Sequence, residues 1–169
     1  VMARFFRIDL NLNGKLDRQE WDKHAAVFAK AENVAISIRP GGKGNVTESH
    51  VRWVSRRGLP TVPSSTMYDG VLYMIKDSGI ITSLDAENGE ILQQGRAKGS
   101  GNYYASLIAG DGKVYLASER GVITVLRASR SWSVMSSYDF KERIMATPVV
   151  KKGTLFVRTD DAIYAYRKK

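Results

Sequence analysis

The amino-acid sequence predicts a mainly β protein, a partial β-propeller of four-stranded antiparallel blades with a small helical insertion near the N-terminus. Three observations predict it. Turn glycines recur at Gly70, Gly112 and Gly153, spacings of 42 and 41, inside matching segments: Tyr68-Asp69-Gly70-Val71-Leu72-Tyr73-Met74, Gly110-Asp111-Gly112-Lys113-Val114-Tyr115-Leu116 and Lys151-Lys152-Gly153-Thr154-Leu155-Phe156-Val157. Each segment joins two short apolar runs through a glycine able to take positive φ, the mark of a tight hairpin. A period of about 42 residues with four readable strands is that of a propeller blade.

Residues 1–33 break this period. Residues 1–8 and 19–31 lack Gly and Pro, and Trp21, Ala25 and Phe28 recur at helical spacing, which predicts two short helices. Between them, Asp9-Leu10-Asn11-Leu12-Asn13-Gly14-Lys15-Leu16-Asp17-Arg18-Gln19-Glu20 fills every fixed position of the EF-hand calcium loop. A hard cation needs a shell of oxygens: Asp9, Asn11 and Asn13 aim inward, Gly14 makes the sharp turn and Lys15 offers its carbonyl. Asp17 binds through water and Glu20 closes the shell with both oxygens. Three carboxylates and no second loop predict a structural calcium clamp with a dissociation constant on the order of 10⁻⁴ M or poorer. The alternative is an Asx-rich turn capping a helix with no ion.

Residues 34–61 read as the end of one blade, with Val34-Ala35-Ile36-Ser37-Ile38-Arg39 as its third strand and residues 50–56 as its fourth. Residues 62–102 and 103–145 each carry a whole blade. Their second turns, at Gly79 and Gly121, lead into Ile80-Ile81-Thr82-Ser83-Leu84 and Val122-Ile123-Thr124-Val125-Leu126, and fourth strands follow at residues 90–94 and 132–138. Residues 146–169 supply three strands, with Asp160-Asp161-Ala162 at the corner before Ile163-Tyr164-Ala165-Tyr166. The chain reads as a C-terminal fragment whose partners are the remaining blades. Its open faces predict marginal stability or association in isolation.

Composition narrows the function. No apolar run approaches the roughly 20 residues of a spanning helix. The chain has no cysteine, which excludes disulfides, thiolate metal sites and cysteine nucleophiles. The net charge of +9 is spread, with 11 Lys+Arg against 6 Asp+Glu in residues 1–61 and 15 against 11 in the rest, so no nucleic-acid partner is expected. His24 and His50, on unrelated elements, form no metal site or catalytic dyad. Gly41-Gly42-Lys43-Gly44 lacks phosphate-loop spacing, and Asn45-Val46-Thr47 is a sequon relevant to a eukaryotic secretory pathway. Residues 1–6 carry no signal-peptide pattern.

Asp85-Ala86-Glu87-Asn88-Gly89-Glu90 is an Asp-initiated turn with Asn-Gly at its corner. With Ser83-Leu84 before it, this stretch resembles the blade motif of the pyrroloquinoline quinone (PQQ) repeat propellers, A-x-D-x-x-T-G-K followed by a docking Trp. Residues 101–106 and Ala146-Thr147-Pro148 resemble the inner-strand entries of such PQQ-like proteins, some of which carry an EF-hand insertion. Ser83, Asn88 and Glu90 depart from the motif, and Gln93 stands where the docking Trp belongs, with Trp53 in that place one blade earlier. The resemblance implies a propeller over residues 34–169, with turns that staple neighbouring blades. It does not imply PQQ on this fragment.

The function expected is that of a non-catalytic calcium-binding PQQ-like propeller, a scaffold or ligand-binding module outside the cytoplasm, periplasmic or secreted. The rival is a fragment of a PQQ-dependent quinoprotein alcohol or sugar dehydrogenase. Successive inner-strand entries, Pro63-Ser64, Ala105-Ser106 and Thr147-Pro148, ring the channel mouth. Tyr103, Tyr104 and Ser106 are candidates for a protein, peptide or sugar ligand, through aromatic faces beside small hydroxyls. The alternative is that the tyrosines fill the gap between blades.

Overall fold

The structure, a computed structural model, describes residues 7–167 and falls into two compact units that part between Asn33 and Val34. In the first unit, helix α1 (Arg18–Lys30) begins at Asp17. The Asp17 carboxylate accepts the Glu20 amide and the Glu20 carboxylate accepts the Asp17 amide, a reciprocal cap whose loss costs about 1 kcal/mol. Trp21, His24 and Phe28 share one face of α1, with ring centroids 6.2 and 4.7 Å apart in turn. Of the helix expected over residues 1–8, residues 1–6 lie outside the described residues, and Arg7 and Ile8 form a turn.

The second unit is a series of antiparallel sheets. Strands β1 (Ala35–Ile38) and β2 (Val51–Ser55) pair. Their connection holds a short helix, α2 (Thr47–His50), started by an Asx turn in which Asn45 accepts the Thr47 amide. The strand expected at residues 50–56 therefore begins after His50. Next, β3 (Thr66–Tyr68), β4 (Val71–Ile75), β5 (Ile80–Asp85) and β6 (Ile91–Arg96) form a four-stranded meander. A second meander consists of β7 (Ile108–Gly110), β8 (Lys113–Ala117), β9 (Val122–Arg127) and β10 (Ser133–Asp139). The last sheet has three strands, β11 (Val149–Lys151), β12 (Thr154–Arg158) and β13 (Ile163–Arg167).

The repeated hairpins have one geometry. Asp69-Gly70, Asp111-Gly112 and Lys152-Gly153 all take positive φ, between 49° and 73°, and close two-residue loops. A loop with both central residues left-handed matches the right-handed twist of the strands it joins. The recurrent glycine supplies the second of those residues without a Cβ penalty.

Sheets stack face to face, with β3 beside β7 and β7 beside β11. Alternation along a strand then serves two interfaces at once. From β4, Val71, Tyr73 and Ile75 join Tyr103, Leu107, Val114, Leu116 and Trp132 in one core, while Leu72 and Met74 turn to Leu59, Leu84 and Trp53 in another. Ala117, Ile123, Ile144 and Val157 make the third core, between the sheets of β8 and β12. Tyr73, Met74 and Ile75 are completely buried, worth about 1.5–3 kcal/mol for each aliphatic side chain.

Beyond that third core, Phe140 meets Tyr138 and Tyr164 edge to face at 4.9 and 5.0 Å. The Glu142 carboxylate accepts both the Thr159 and Tyr164 hydroxyls, which lowers its own pKa and pushes the Tyr164 phenol up to about 12.

Two glycines separate backbone strain from packing. Gly70 and Gly121 both have positive φ, but a Cβ on Gly70 meets open space whereas one on Gly121 would stand 2.2 Å from the Glu142 carbonyl oxygen. Thermal melts of Gly70→Ala should show a loss of about 1 kcal/mol from φ alone. Gly121→Ala should lose a further ~1–3 kcal/mol because backbone must move. Equal losses would refute the close approach.

Candidate functional site

The strand entries form a hydrogen-bonded belt. The Ser64 amide donates to Ser106 Oγ at 2.9 Å, and the Ser106 amide donates to Thr147 Oγ1 at 3.0 Å. Each hydroxyl sits one repeat beyond the amide it accepts, so the belt links three successive sheets where their inner strands begin. Tyr103, three residues before Ser106, has no exposed surface and belongs to the core between the two four-stranded sheets. Its amide donates to the Asp77 carbonyl, its hydroxyl to the Gly99 carbonyl, and a Cβ on Gly79 would touch its ring at 2.9 Å. Burial pushes its phenol pKa up. Tyr104 is half-buried, and its hydroxyl accepts from Asn102 Nδ2. Of the two tyrosines, Tyr104 is the one that reaches the surface.

The turn at residues 85–90 is a second junction. Asp85 is nearly buried; one carboxylate oxygen accepts the Glu87 amide at 2.8 Å and the other Arg130 Nη1 at 2.6 Å. The amide and then the guanidinium hold its pKa below the ordinary carboxylate value. Trp53 docks on this turn from the preceding sheet, its Nε1 donating to the Ala86 carbonyl and its ring filling the space a Gly89 side chain would need. One sheet on, Gln93 takes the corresponding role by donating to the Trp132 carbonyl. Trp132 leans back over Gly95 and donates to Ser83 Oγ at 3.2 Å. Ser83, which departs from the repeat motif, is thus the acceptor a buried indole N–H requires.

Arg130 was not legible as a partner of Asp85. The available signal was spacing, because the two residues are 45 apart, about one repeat, and so lie on corresponding turns of adjacent sheets.

The acidic loop is shaped by its own side chains. Asp9, almost fully buried, accepts the Asn13 amide at 3.2 Å and the Gly14 amide at 2.8 Å. Asn11 Oδ1 accepts the same Asn13 amide, which brings Asp9 and Asn11 oxygens side by side, and Asn13 Oδ1 accepts the Lys15 amide. Glu20, 4% exposed, has Oε1 on the Leu10 and Asn11 amides and Oε2 on the Asp17 amide. Gly14 holds φ of +77°.

Asp9, Asn11, Asn13 and the Lys15 carbonyl are hard oxygen donors suited to calcium. Asp17 Oδ1 caps the helix by accepting the Glu20 amide, and Glu20 is occupied by three amides. Among the described residues no group of three or more His, Cys, Asp or Glu is placed to hold a metal. Bidentate ligation by Glu20 therefore requires the Leu10 and Asn11 amides to be released.

Comparison with known proteins shows the fold. No family model matches the chain. Outer membrane protein assembly factor BamB of Yersinia pestis is 33% identical over 89 residues, 53% of this chain and 22% of that protein. The chain thus spans about a fifth of the length of this curated relative. The structure of BamB from Moraxella catarrhalis superposes with a TM-score of 0.57 at 20% identity, over 69% of this chain and 36% of that one. A quinohemoprotein alcohol dehydrogenase from Pseudomonas putida gives 0.50 at 18% identity, over 65% and 19% of the respective chains. A europium-containing methanol dehydrogenase gives 0.51 at 16%, over 66% and 23%. What these structures share with the chain is the fold, antiparallel sheets arranged as in a partial β-propeller.

The Asp85 junction carries a pH dependence. Its folded pKa is depressed, so its contribution to stability is complete above the unfolded value near 3.8 and is lost as pH falls through the lower folded value. Denaturant titrations at descending pH should show wild type losing stability below about pH 4, and Asp85→Asn should remove part of that slope. An unchanged slope in the variant would show that Asp85 is not a contributor.

Proposed function

We propose that this chain is part of a non-catalytic propeller scaffold that acts outside the cytoplasm in outer-membrane protein assembly. The observation that carries this reading is the 89-residue match to an outer membrane protein assembly factor, supported by the superposition on a second BamB. The use of polar side chains agrees with it: Ser106, Thr147, Asp85, Gln93 and Ser83 all bond between neighbouring sheets, a pattern that serves cohesion. The partners are then the remaining blades and a protein or peptide ligand, with Tyr104 and Ser106 at the strand-entry face as contacts.

The test is complementation. The full-length protein, expressed in a bacterium deleted for its own assembly factor, should restore the level of outer-membrane porins. Failure to restore them, together with dye-linked oxidation of a primary alcohol after loading with PQQ and calcium, would replace this reading with a quinoprotein dehydrogenase, which the likeness to the two dehydrogenases favours.

A calcium clamp at residues 9–20 completes the proposal. The residues that would hold the ion are Asp9, Asn11, Asn13, Lys15 through its carbonyl, and Glu20, with Asp17 reached through water. Bound calcium would neutralise Asp9 and Glu20 and tie the loop to the start of α1. Because Glu20 must exchange amide donors for the ion, a dissociation constant on the order of 10⁻⁴ M or poorer is expected. Calorimetry with calcium should give one site, and Glu20→Gln should weaken it at least ~10-fold. Absence of heat at millimolar calcium would end the proposal.

A further inference from the structure

The internal repeat exposes a socket that one blade fills and the next leaves open. Between the sheets of β4 and β8, Tyr68 reaches across and its hydroxyl accepts the Gly112 amide at 2.9 Å, while Val71 beside it is 1% exposed. One repeat on, the residue equivalent to Tyr68 is Gly110 and the residue equivalent to Val71 is Lys113. The phenol is missing, and the amide equivalent to that of Gly112 belongs to Gly153. A groove of about 460 Å³ lies there, lined by Asp111, Lys113, Tyr115, Gly153, Tyr166 and Arg167 among others.

The groove is apolar within, and its rim carries the Lys113 and Arg167 cations together with the Asp111 carboxylate, two positive charges against one negative. Tyr115 and Tyr166 offer ring surface, and Lys113 and Arg167 supply positive charge, the Lys113 ammonium being held over the turn by the Asp111 carbonyl at 3.1 Å. Tyr68 shows what the socket accepts in the neighbouring copy: a phenol whose oxygen takes a glycine amide. The rim adds a preference for carboxylates near that phenol.

We propose that the groove between β8 and β12 is a docking site for a partner peptide that presents a tyrosine side chain flanked by acidic residues, the tyrosine taking the place Tyr68 occupies one repeat earlier. This surface is separate from the strand-entry belt and does not depend on the calcium loop.

The repeat also supplies the test. Gly110 does not have positive φ, and a Cβ there would meet Val150 at 3.9 Å, an ordinary contact, so Gly110→Tyr can refill the socket from within. The probe is the peptide acetyl-Glu-Glu-Tyr-Glu-amide, followed by NMR on the labelled protein. Titration should shift the Gly153 and Lys113 amides, and Phe in place of Tyr should weaken binding about three- to tenfold through loss of one hydrogen bond. Lys in place of each Glu should abolish it, and Gly110→Tyr should abolish it with the melting temperature maintained or raised. No shift at the highest soluble peptide concentration, or full affinity in Gly110→Tyr, overturns the proposal. Should Gly110→Tyr fail to fold, Lys113→Glu decides, since retained affinity would also overturn it. Dilution-dependent shifts of the same amides without peptide would make the occupant a second copy of the chain and equally refute it.

Discussion

Burial of both faces of each four-stranded sheet is the constraint on which the second unit depends. A sheet with Val71, Tyr73 and Ile75 on one side and Leu72 and Met74 on the other cannot face water on either, so it is stable only between two neighbours. This explains why β4 shows near-continuous burial where a half-exposed strand would alternate, and why the outer strand β10 is mostly exposed. Polar groups in the central strands must then be satisfied internally. Thr82 accepts from Gln94, Thr124 from the Lys98 amide and Ser83 from Trp132.

Because adjacent sheets are held at a common spacing, chemistry at their borders repeats with variation. The site facing the turn at residues 85–90 is filled by Trp53, but the corresponding site one sheet later by Gln93, and each finds a backbone carbonyl one sheet on. A tryptophan contributes ring area where Gly89 leaves room; the smaller amide is sufficient where Trp132 already covers the border from the other side. Substitution at a repeat position is therefore compensated across the interface and not within the blade. At Gly110, which has no ring to match Tyr68, the facing sheet brings only the Val150 side chain to ordinary contact distance, 3.9 Å from where a Cβ would stand.

The loop at residues 9–20 obeys a different rule. Short-range side-chain acceptors organise it, and its two buried carboxylates draw their stabilisation from five backbone amide contacts. Such a loop is self-satisfied, with amide donors on the oxygens of Asp9, Asn11, Asn13 and Glu20. The calcium affinity proposed for it would be set by the competition between those donors and the ion.

Periodicity by itself determined the strands, the hairpin positions and the pairing of strands within each sheet, because alternating apolar residues and two-residue Asp-Gly or Lys-Gly turns act over a few residues. Local spacing likewise placed the Asx ladder of the acidic loop and the start of α1. Helix α2 was not legible, since its four residues carry no periodic signal, and the strand expected from residue 50 begins at Val51 because His50 closes that helix. What the tertiary structure decided was which side chains meet across sheets. Asp85 with Arg130, Tyr68 with the Gly112 amide and Ser106 between Ser64 and Thr147 are separated by about one whole repeat, and a sequence states spacing along the chain but not the rotation and offset between stacked sheets. For the same reason Tyr103 and Tyr104, adjacent and chemically alike, part company in space: alternation sends one into the border between sheets and leaves the other at the surface, and only the position of the neighbouring sheet fixes which.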